Sequence, residues 1–196
     1  MPRVTEEHLA ARRRQIAEAA ARCFARNGFH ATSMHDVIAE AGLSAGAVYR
    51  YFPGKEALVR EIATAAVAEV VGELDEILRS DPLPPLPEVL DALLATGEKH
   101  LEVRLRIAVQ VWGEALRNPE LAELVRGFYR GFRDRFAVLA RRAREAGQLP
   151  ADSDDDAVAA ALFSLLPGYV LQRLLLGDPD RATYLSGVAA LFRDPA

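Results

Sequence analysis

The sequence predicts an all-α fold, and two observations support this prediction. Apolar residues recur at spacings of three and four along most of the 196 residues, and no stretch alternates polar and apolar residues as a strand would. Ala, Leu and Arg are abundant whereas aromatic residues make up 7% of the chain, a composition that favours helix over strand. We therefore expect a small N-terminal helical domain followed by a larger helical domain.

The first helix is predicted over residues 6–26. Its apolar face consists of Ile16, Ala19, Ala20, Cys23 and Phe24. Gly28 can end this helix because glycine adopts the left-handed conformation at little cost. Thr32 and Ser33 then precede a second, short helix and can cap its N-terminus.

The second and third helices are predicted to form a helix-turn-helix. The inner face of the second helix consists of Met34, Val37, Ile38 and Ala41. Gly42 and Leu43 form a tight turn, and a third helix is predicted from Ala45 to Phe52. Two short helices joined at a glycine turn are typical of this motif. Pro53 and Gly54 end the third helix, and a long fourth helix is predicted from Lys55 to about Arg79.

Five further helices are predicted behind a proline-rich connector. Residues 81–87 are predicted to be non-helical because each proline disfavours helix at the residue before it. Their PxxP spacing also occurs in SH3 ligands, but a stiff connector is the better interpretation. The helices that follow are predicted over residues 88–104, 105–117, 120–146, 154–176 and 180–192.

Charge is distributed unevenly along the chain. Residues 1–60 carry nine Arg and Lys against six Asp and Glu, whereas the remainder carries fifteen against twenty-two. A basic N-terminal part indicates contact with a polyanion. No apolar leader segment is found, and the longest uncharged run, residues 157–172, is shorter than the roughly 20 residues of a membrane span. We therefore expect a cytoplasmic protein that binds no membrane.

Catalytic and metal chemistry are not expected. Gly42–Gly46 (GLSAG) matches the nucleophile elbow G-x-S-x-G, but that elbow requires a buried strand before the serine. Residues 36–41 have a charged, helical pattern instead, and His100 alone follows Ser44 as a candidate triad histidine. We predict that Ser44 caps the third helix and that the chain is not an enzyme. A single cysteine, Cys23, excludes a disulfide and a cysteine-based zinc cluster, and no cofactor is expected.

Residues 16–59 resemble the DNA-binding domain of TetR/AcrR-family transcriptional regulators. The matching residues are Phe24, Gly28, Thr32, Ser33, Ile38, Ala39, Ala41, Gly42, Leu43, Ser44, Gly46, Tyr49, Tyr51, Phe52 and Lys55. This resemblance implies a homodimer that represses genes until a small molecule releases it from DNA. It implies a helix-turn-helix DNA-binding domain over residues 1–55, and a helical effector-binding and dimerisation domain over residues 56–196. The family-type region itself extends over about residues 10–70.

The third helix places its residues on two faces. Val48 and Phe52 share one face and should pack on Ile38, Leu43 and Phe24, so that Arg50 points away and can contact base edges or phosphate. The resemblance implies a phosphate contact for Tyr49 and for Lys55, and a base or phosphate contact for Tyr51. The predicted DNA contacts are Thr32, Ser33, His35, Ser44, Ala45, Gly46, Ala47, Tyr49, Arg50, Tyr51 and Lys55.

Several of these predicted contacts also have a structural alternative, and His35 could equally be a surface histidine. The two tyrosines could complete the core, Thr32 and Ser33 could serve only as caps, and Arg50 could be a solvated surface residue. The family often has a long polar residue after the serine, whereas this chain has the small residues Ala45, Gly46 and Ala47. A helical module that uses its helix-turn-helix only for protein contacts is a further alternative.

The second domain is predicted to dimerise and to bind an effector. Residues 154–176 are apolar over most of the helix surface, and with residues 180–192 they are expected to form a four-helix bundle with a second copy, as the resemblance implies. An effector of mostly apolar character is the default. The predicted pocket residues are His100, Gln110, Trp112, Glu114, Phe128, Tyr129, Phe132 and Phe163, although the aromatic members could be ordinary core residues. Asp152, Asp154, Asp155 and Asp156 are predicted to offset a helix dipole rather than bind a metal.

Overall fold

The computed structural model describes residues 6–99 and 106–191 of the chain. Over these residues the structure is helical and contains no strand, which confirms the predicted all-α fold. The helices are α1 (Glu6–Asn27), α2 (Met34–Ala41), α3 (Ala45–Tyr49), α4 (Lys55–Ile77), α5 (Leu86–Glu98), α6 (Arg106–Ala115), α7 (Pro119–Glu145), α8 (Asp155–Leu175) and α9 (Arg181–Leu191).

Two predicted boundaries differ from the structure. Helix α3 ends at Tyr49 rather than at Phe52, and α5 begins earlier than expected. Residues 81–87 were expected to be non-helical throughout, but α5 begins at Leu86 and includes Pro87 in its first turn. Proline is tolerated there because its missing N–H would have no partner inside the helix. Gln148 helps to fix the start of α5, because its Oε1 accepts a hydrogen bond from the Leu86 N–H at 2.9 Å.

The chain forms two compact units that are not continuous in sequence. Among the described residues, the first unit contains 6–66 and 106–125, and the second contains 67–99 and 126–191. Helix α6 and the start of α7 therefore belong with the N-terminal helices. The predicted domain boundary at residue 55 stays a prediction.

The core of the first unit is built on the predicted apolar faces. In α1, the buried residues are Ile16, Ala19, Ala20, Cys23 and Phe24, the five residues that the helical periodicity selects. Val48 and Phe52 are fully buried and belong to the same cluster, together with Ile107, Val111 and Leu121 from the later part of the chain. Ile38 and Leu43 pack partly against this cluster, which confirms the predicted packing of the third helix.

The second unit has a separate core and a partly buried polar network. Its core includes Leu74, Leu90, Leu93, Phe136 and Leu162, which are contributed by helices α4, α5, α7 and α8. Beside it, the Tyr169 hydroxyl donates to Glu98, and Arg181 pairs with both Glu98 and Asp91. Burial, together with the hydrogen bond to Glu98, raises the pKa of Tyr169 to about 12. The neutral phenol thus stays a hydrogen-bond donor at physiological pH.

Helix α8 is apolar but poorly covered. Within the described residues it is the one helix whose length and composition would allow it to cross a membrane. Its 21 residues lie within the predicted range 154–176. Soluble proteins contain helices of this kind in their cores and interfaces. Pro167 lies inside it, and only Ala159, Leu162 and Tyr169 are buried.

Candidate nucleic-acid interface

The N-terminus of α2 is fixed by a capping box. Ser33 is the N-cap, and its Oγ accepts a hydrogen bond from the Asp36 N–H at 3.2 Å. In return the Asp36 carboxylate accepts from the Ser33 N–H at 2.8 Å. The Ser33 N–H, and also the Ser33 hydroxyl at 2.7 Å, donate to the Asp36 carboxylate, which favours its ionised form and lowers the pKa of Asp36. Ser33 and His35 are exposed, so this end of α2 faces solvent.

The turn between α2 and α3 follows the predicted chemistry. Gly42 has a φ of +65° and caps α2 in the left-handed conformation that glycine adopts readily. Ser44 then caps α3, because its Oγ accepts a hydrogen bond from the Ala47 N–H at 3.3 Å. A helix rather than a strand precedes this serine, so the local structure lacks the strand-turn-helix of a hydrolase nucleophile elbow.

Ser44→Ala is expected to lower the free energy of unfolding by about 1 kcal/mol, because it removes one N-cap hydrogen bond. DNA binding should weaken only modestly, since the exposed surface of α3 is otherwise retained. Thermal denaturation and a DNA titration of the same variant measure the two effects. A loss of ester hydrolysis that is specific to this variant would instead support a nucleophilic serine.

Helix α3 separates a buried face from an exposed one. Val48 and the following Phe52 are fully buried. Arg50 is exposed to solvent, and Tyr49 is 49% exposed. Tyr51 is half-buried and packs against the core, in line with the alternative that this tyrosine completes the core. Arg50 and Tyr49 are therefore the long side chains of this segment that are most available to a partner.

The first turn of α3 has a small, open surface. Ala45 and Gly46 are exposed and Ala47 is half-buried. A Cβ placed on Gly46 would meet no other atom within 4 Å. A double helix can therefore approach the backbone closely here, and methyl groups are available for contact with thymine.

Two predicted phosphate contacts are engaged within the protein. Thr32 is buried, and its hydroxyl donates to the Gly28 carbonyl oxygen at 2.8 Å. The Lys55 Nζ donates to the carbonyl oxygens of Phe29 at 2.9 Å and His30 at 3.4 Å. An ammonium has three N–H donors, so Lys55 retains one for a phosphate, whereas the Thr32 hydroxyl serves the loop.

Two arginines of α1 contact side chains within the protein. Arg13 forms an ion pair with Glu61 at 2.6 Å, and its guanidinium lies 4.7 Å from the centre of the Phe52 ring. Arg12 donates to Gln15 at 2.8 Å. Arg13 therefore holds α1 against the end of the helix-turn-helix, a role that the sequence did not reveal.

The predicted effector residues fall into two groups. Gln110 and Glu114 line a small cavity in the first unit, where Trp112 is half-buried on the same helix. In the second unit, the Phe163 ring packs against Tyr129 and Phe132, with ring centres 4.8 and 5.6 Å apart, and Phe128 is half-buried nearby in sequence. The eighth predicted residue, His100, lies outside the described residues. The two groups belong to different units, and a shared pocket stays a prediction.

The predicted acidic residues lie at the N-terminus of α8, with Asp155 and Asp156 in its first turn. Asp154 is the N-cap, and its carboxylate accepts a hydrogen bond from the Ala157 N–H at 2.8 Å. Asp155 pairs with Arg144 at 3.0 Å, and the hydrogen bonds from this arginine lower the pKa of Asp155. No group of three or more His, Cys, Asp or Glu residues suited to a metal is found among residues 6–99 and 106–191.

A capped helix-turn-helix with an exposed recognition helix, joined to a larger helical region, defines a DNA-binding transcriptional regulator. Residues 16–62 match the sequence model of the bacterial regulatory proteins of the tetR family, and residues 85–193 match the C-terminal region of BetI-type transcriptional repressors. The chain therefore belongs to the TetR family of transcriptional regulators, as its sequence predicted. Members of this family are regulators rather than enzymes.

Related proteins support this assignment over nearly the full chain. The chain is 34% identical over 197 residues to a transcriptional repressor of Mycobacterium tuberculosis, covering 92% of each protein. It is 33% identical to the repressor AcnR of Corynebacterium diphtheriae, covering 92% of this chain and 90% of AcnR. A transcriptional regulator of Saccharomonospora viridis, solved in complex with choline, superposes with a TM-score of 0.73 at 25% identity, covering 92% of this chain and 95% of that one.

Proposed function

We propose that this regulator is a ligand-responsive repressor that binds a palindromic operator as a cytoplasmic homodimer. The observation that carries the proposal is the outward face of α3, where Arg50 and Tyr49 stand exposed beside the small residues Ala45 and Gly46. One recognition helix per chain contacts one major groove, so two chains related by a twofold axis bind two half-sites.

The uncovered apolar surface near the end of α8 supports a homodimer. Leu175 is 76% exposed, Leu176 is 71% exposed and Leu171 is partly exposed. In α9, Leu191 is 81% exposed. Exposed leucines at the end of one helix, with a further one on the next helix, are more typical of an interface than of a free surface. Association through about residues 154–192 would bury them against a second copy.

The course of α4 supports a ligand response. This helix runs without a break from Lys55 to Ile77, from the first unit into the second. An effector that tilts α4 would therefore move the recognition helix, and by linkage operator DNA would weaken effector binding by the same factor. A thermal-shift screen can begin with choline, the ligand of the S. viridis regulator. A compound that stabilises the protein and leaves DNA affinity unchanged would contradict this coupling.

Selection of binding sites from random duplex DNA tests the proposal directly. We expect enrichment of near-palindromes whose half-site centres are about 34–36 Å apart, because two recognition helices must enter successive major grooves on one face of the DNA. Enrichment of asymmetric single sites would contradict the dimer. A failure to enrich any sequence, with equal affinity for all duplexes, would contradict an operator-specific repressor.

A further inference from the structure

The loop between α1 and α2, residues 28–33, is held by side chains from two later helices. The Phe29 N–H donates to the Oε1 of Gln110 on α6 at 2.8 Å. The Phe29 carbonyl oxygen accepts from the Nζ of Lys55 on α4 at 2.9 Å. Both backbone polar groups of one loop residue are therefore bonded to side chains, and Gln110 adds a longer hydrogen bond to the Phe24 carbonyl oxygen at 3.4 Å.

A second contact from α6 lies one residue further along the loop. His30 Nε2 lies 3.1 Å from a carboxylate oxygen of Glu114. Gln110 and Glu114 are four residues apart on α6 and therefore share one face of the helix. That face holds two consecutive loop residues, while Lys55 also places its ammonium 4.6 Å from the centre of the Phe29 ring.

The loop leads directly into the end of α2 that is predicted to contact phosphate. Thr32 closes it through the hydrogen bond from its hydroxyl to the Gly28 carbonyl oxygen. Ser33, the next residue, is the N-cap of α2. The backbone amides of a helix N-terminus form an anion-binding site, so the position of Phe29 helps to set where this site lies.

Helix α6 comes from a distant part of the sequence. Gln110 is 81 residues from Phe29, and α6 lies within the region that matches the C-terminal part of BetI-type repressors. The cavity beside Gln110 and Glu114 has a volume of about 10 Å³. That is room for about one water molecule, against the several hundred Å³ of a ligand pocket. In this conformation the two side chains contact Phe29 and His30 of the loop.

We propose that Gln110 and Glu114 are positioning residues that couple α6 to the DNA-contacting end of α2 through Phe29. The proposal deepens the proposed function and rests on it for the role of α2 at the operator. A displacement of α6 would remove the acceptor of the Phe29 N–H and free the loop. DNA that fixes the end of α2 must in turn restrain α6, because the coupling between two sites is reciprocal.

Hydrogen exchange of Gln110→Met tests this coupling, since methionine has a similar length and cannot accept from the Phe29 N–H. In the free protein, exchange of the amides in residues 28–36 should rise about fivefold, the effect of one typical hydrogen bond. Affinity for the selected operator should fall by a similar factor with an unchanged salt slope, because no phosphate contact is removed. Operator binding should slow exchange in residues 106–115 of the wild type and not of the variant.

Two further variants separate coupling from loss of structure. Gln110→Glu retains an oxygen acceptor for the Phe29 N–H and loses the donor to the Phe24 carbonyl oxygen, so it should restore most of the protection of residues 28–36. Leu116→Gln changes an exposed side chain just beyond α6 and should alter neither measurement. Unchanged exchange of the loop in Gln110→Met would overturn the proposal, as would faster exchange throughout the first unit. If the wild type bound no duplex DNA, the proposed function would fail, whereas exchange in the free protein would still decide whether Gln110 holds the loop.

Discussion

Arg50→Ala is expected to reduce affinity for the operator by roughly 5- to 150-fold, equivalent to about 1–3 kcal/mol, if Arg50 contacts a base. Arg50 is exposed at the end of α3. The first turn of this helix, Ala45 to Ala47, contains no long polar side chain. Its loss should also relax sequence preference at one position in each half-site. Titration of labelled operator and of single-base variants measures both effects.

The salt dependence of binding distinguishes a base contact from a phosphate contact. If Arg50 contacts only phosphate, Arg50→Ala should weaken binding to all duplexes equally and reduce the salt slope by about one unit. Lys55→Ala is expected to behave in this second way, with an added loss of stability because it also removes the hydrogen bond to the Phe29 carbonyl oxygen. Arg79→Ala, just beyond the end of α4 in the second unit, is the matched control. An equal loss in that control would contradict a specific role for Arg50.

Leu175→Asp is expected to convert the dimer to a monomer and to reduce operator affinity by roughly 100- to 10,000-fold. The aspartate would place a charge within the apolar surface that the dimer is proposed to bury. The operator effect is larger than that of Arg50→Ala because a monomer loses the second half-site altogether, together with its contribution to avidity. Light scattering after gel filtration measures the mass, and titration of operator at protein concentrations at which the wild type is dimeric and the variant is monomeric measures affinity.

Leu116→Asp provides the matched control for this experiment. It makes the same substitution at a leucine that is 89% exposed and lies in the first unit, outside residues 154–192. The control should remain dimeric with wild-type affinity. A Leu175→Asp protein that keeps the dimer mass would show that the end of α8 lies outside the interface, and circular dichroism of both variants confirms that the helices remain folded.

Local chemistry made most helix boundaries predictable. Ser33 and Ser44 cap helices where the sequence predicted caps, because an N-cap depends on a few consecutive residues. Helical periodicity likewise identified the buried face of α1. The start of α5 was misplaced because proline was treated as a helix breaker throughout, although its first-turn position is favourable.

Hydrogen bonds between residues far apart in the chain could not be predicted from the sequence. Gln110 was predicted to contact an effector, yet it bonds the backbone of Phe29, which lies 81 residues away. Lys55 was predicted to contact phosphate, yet two of its N–H groups face carbonyl oxygens of the same loop. Polar side chains of these types suit either partner chemically, and only the fold determines which partner is near. A single sequence contains no periodicity that reports such pairs.

The inclusion of α6 in the first unit has a consequence for building chimeric regulators. Ile107, Val111 and Leu121 belong to the same apolar cluster as Phe24 and Phe52. A fusion that joins the first 66 residues to a foreign sensor would leave this cluster without three of its members, and the exposed area would have to be covered by whatever sequence the new sensor supplies. Exchange of DNA specificity in this protein is therefore better attempted by grafting residues on the surface of α3 than by transplanting the N-terminal segment as a module.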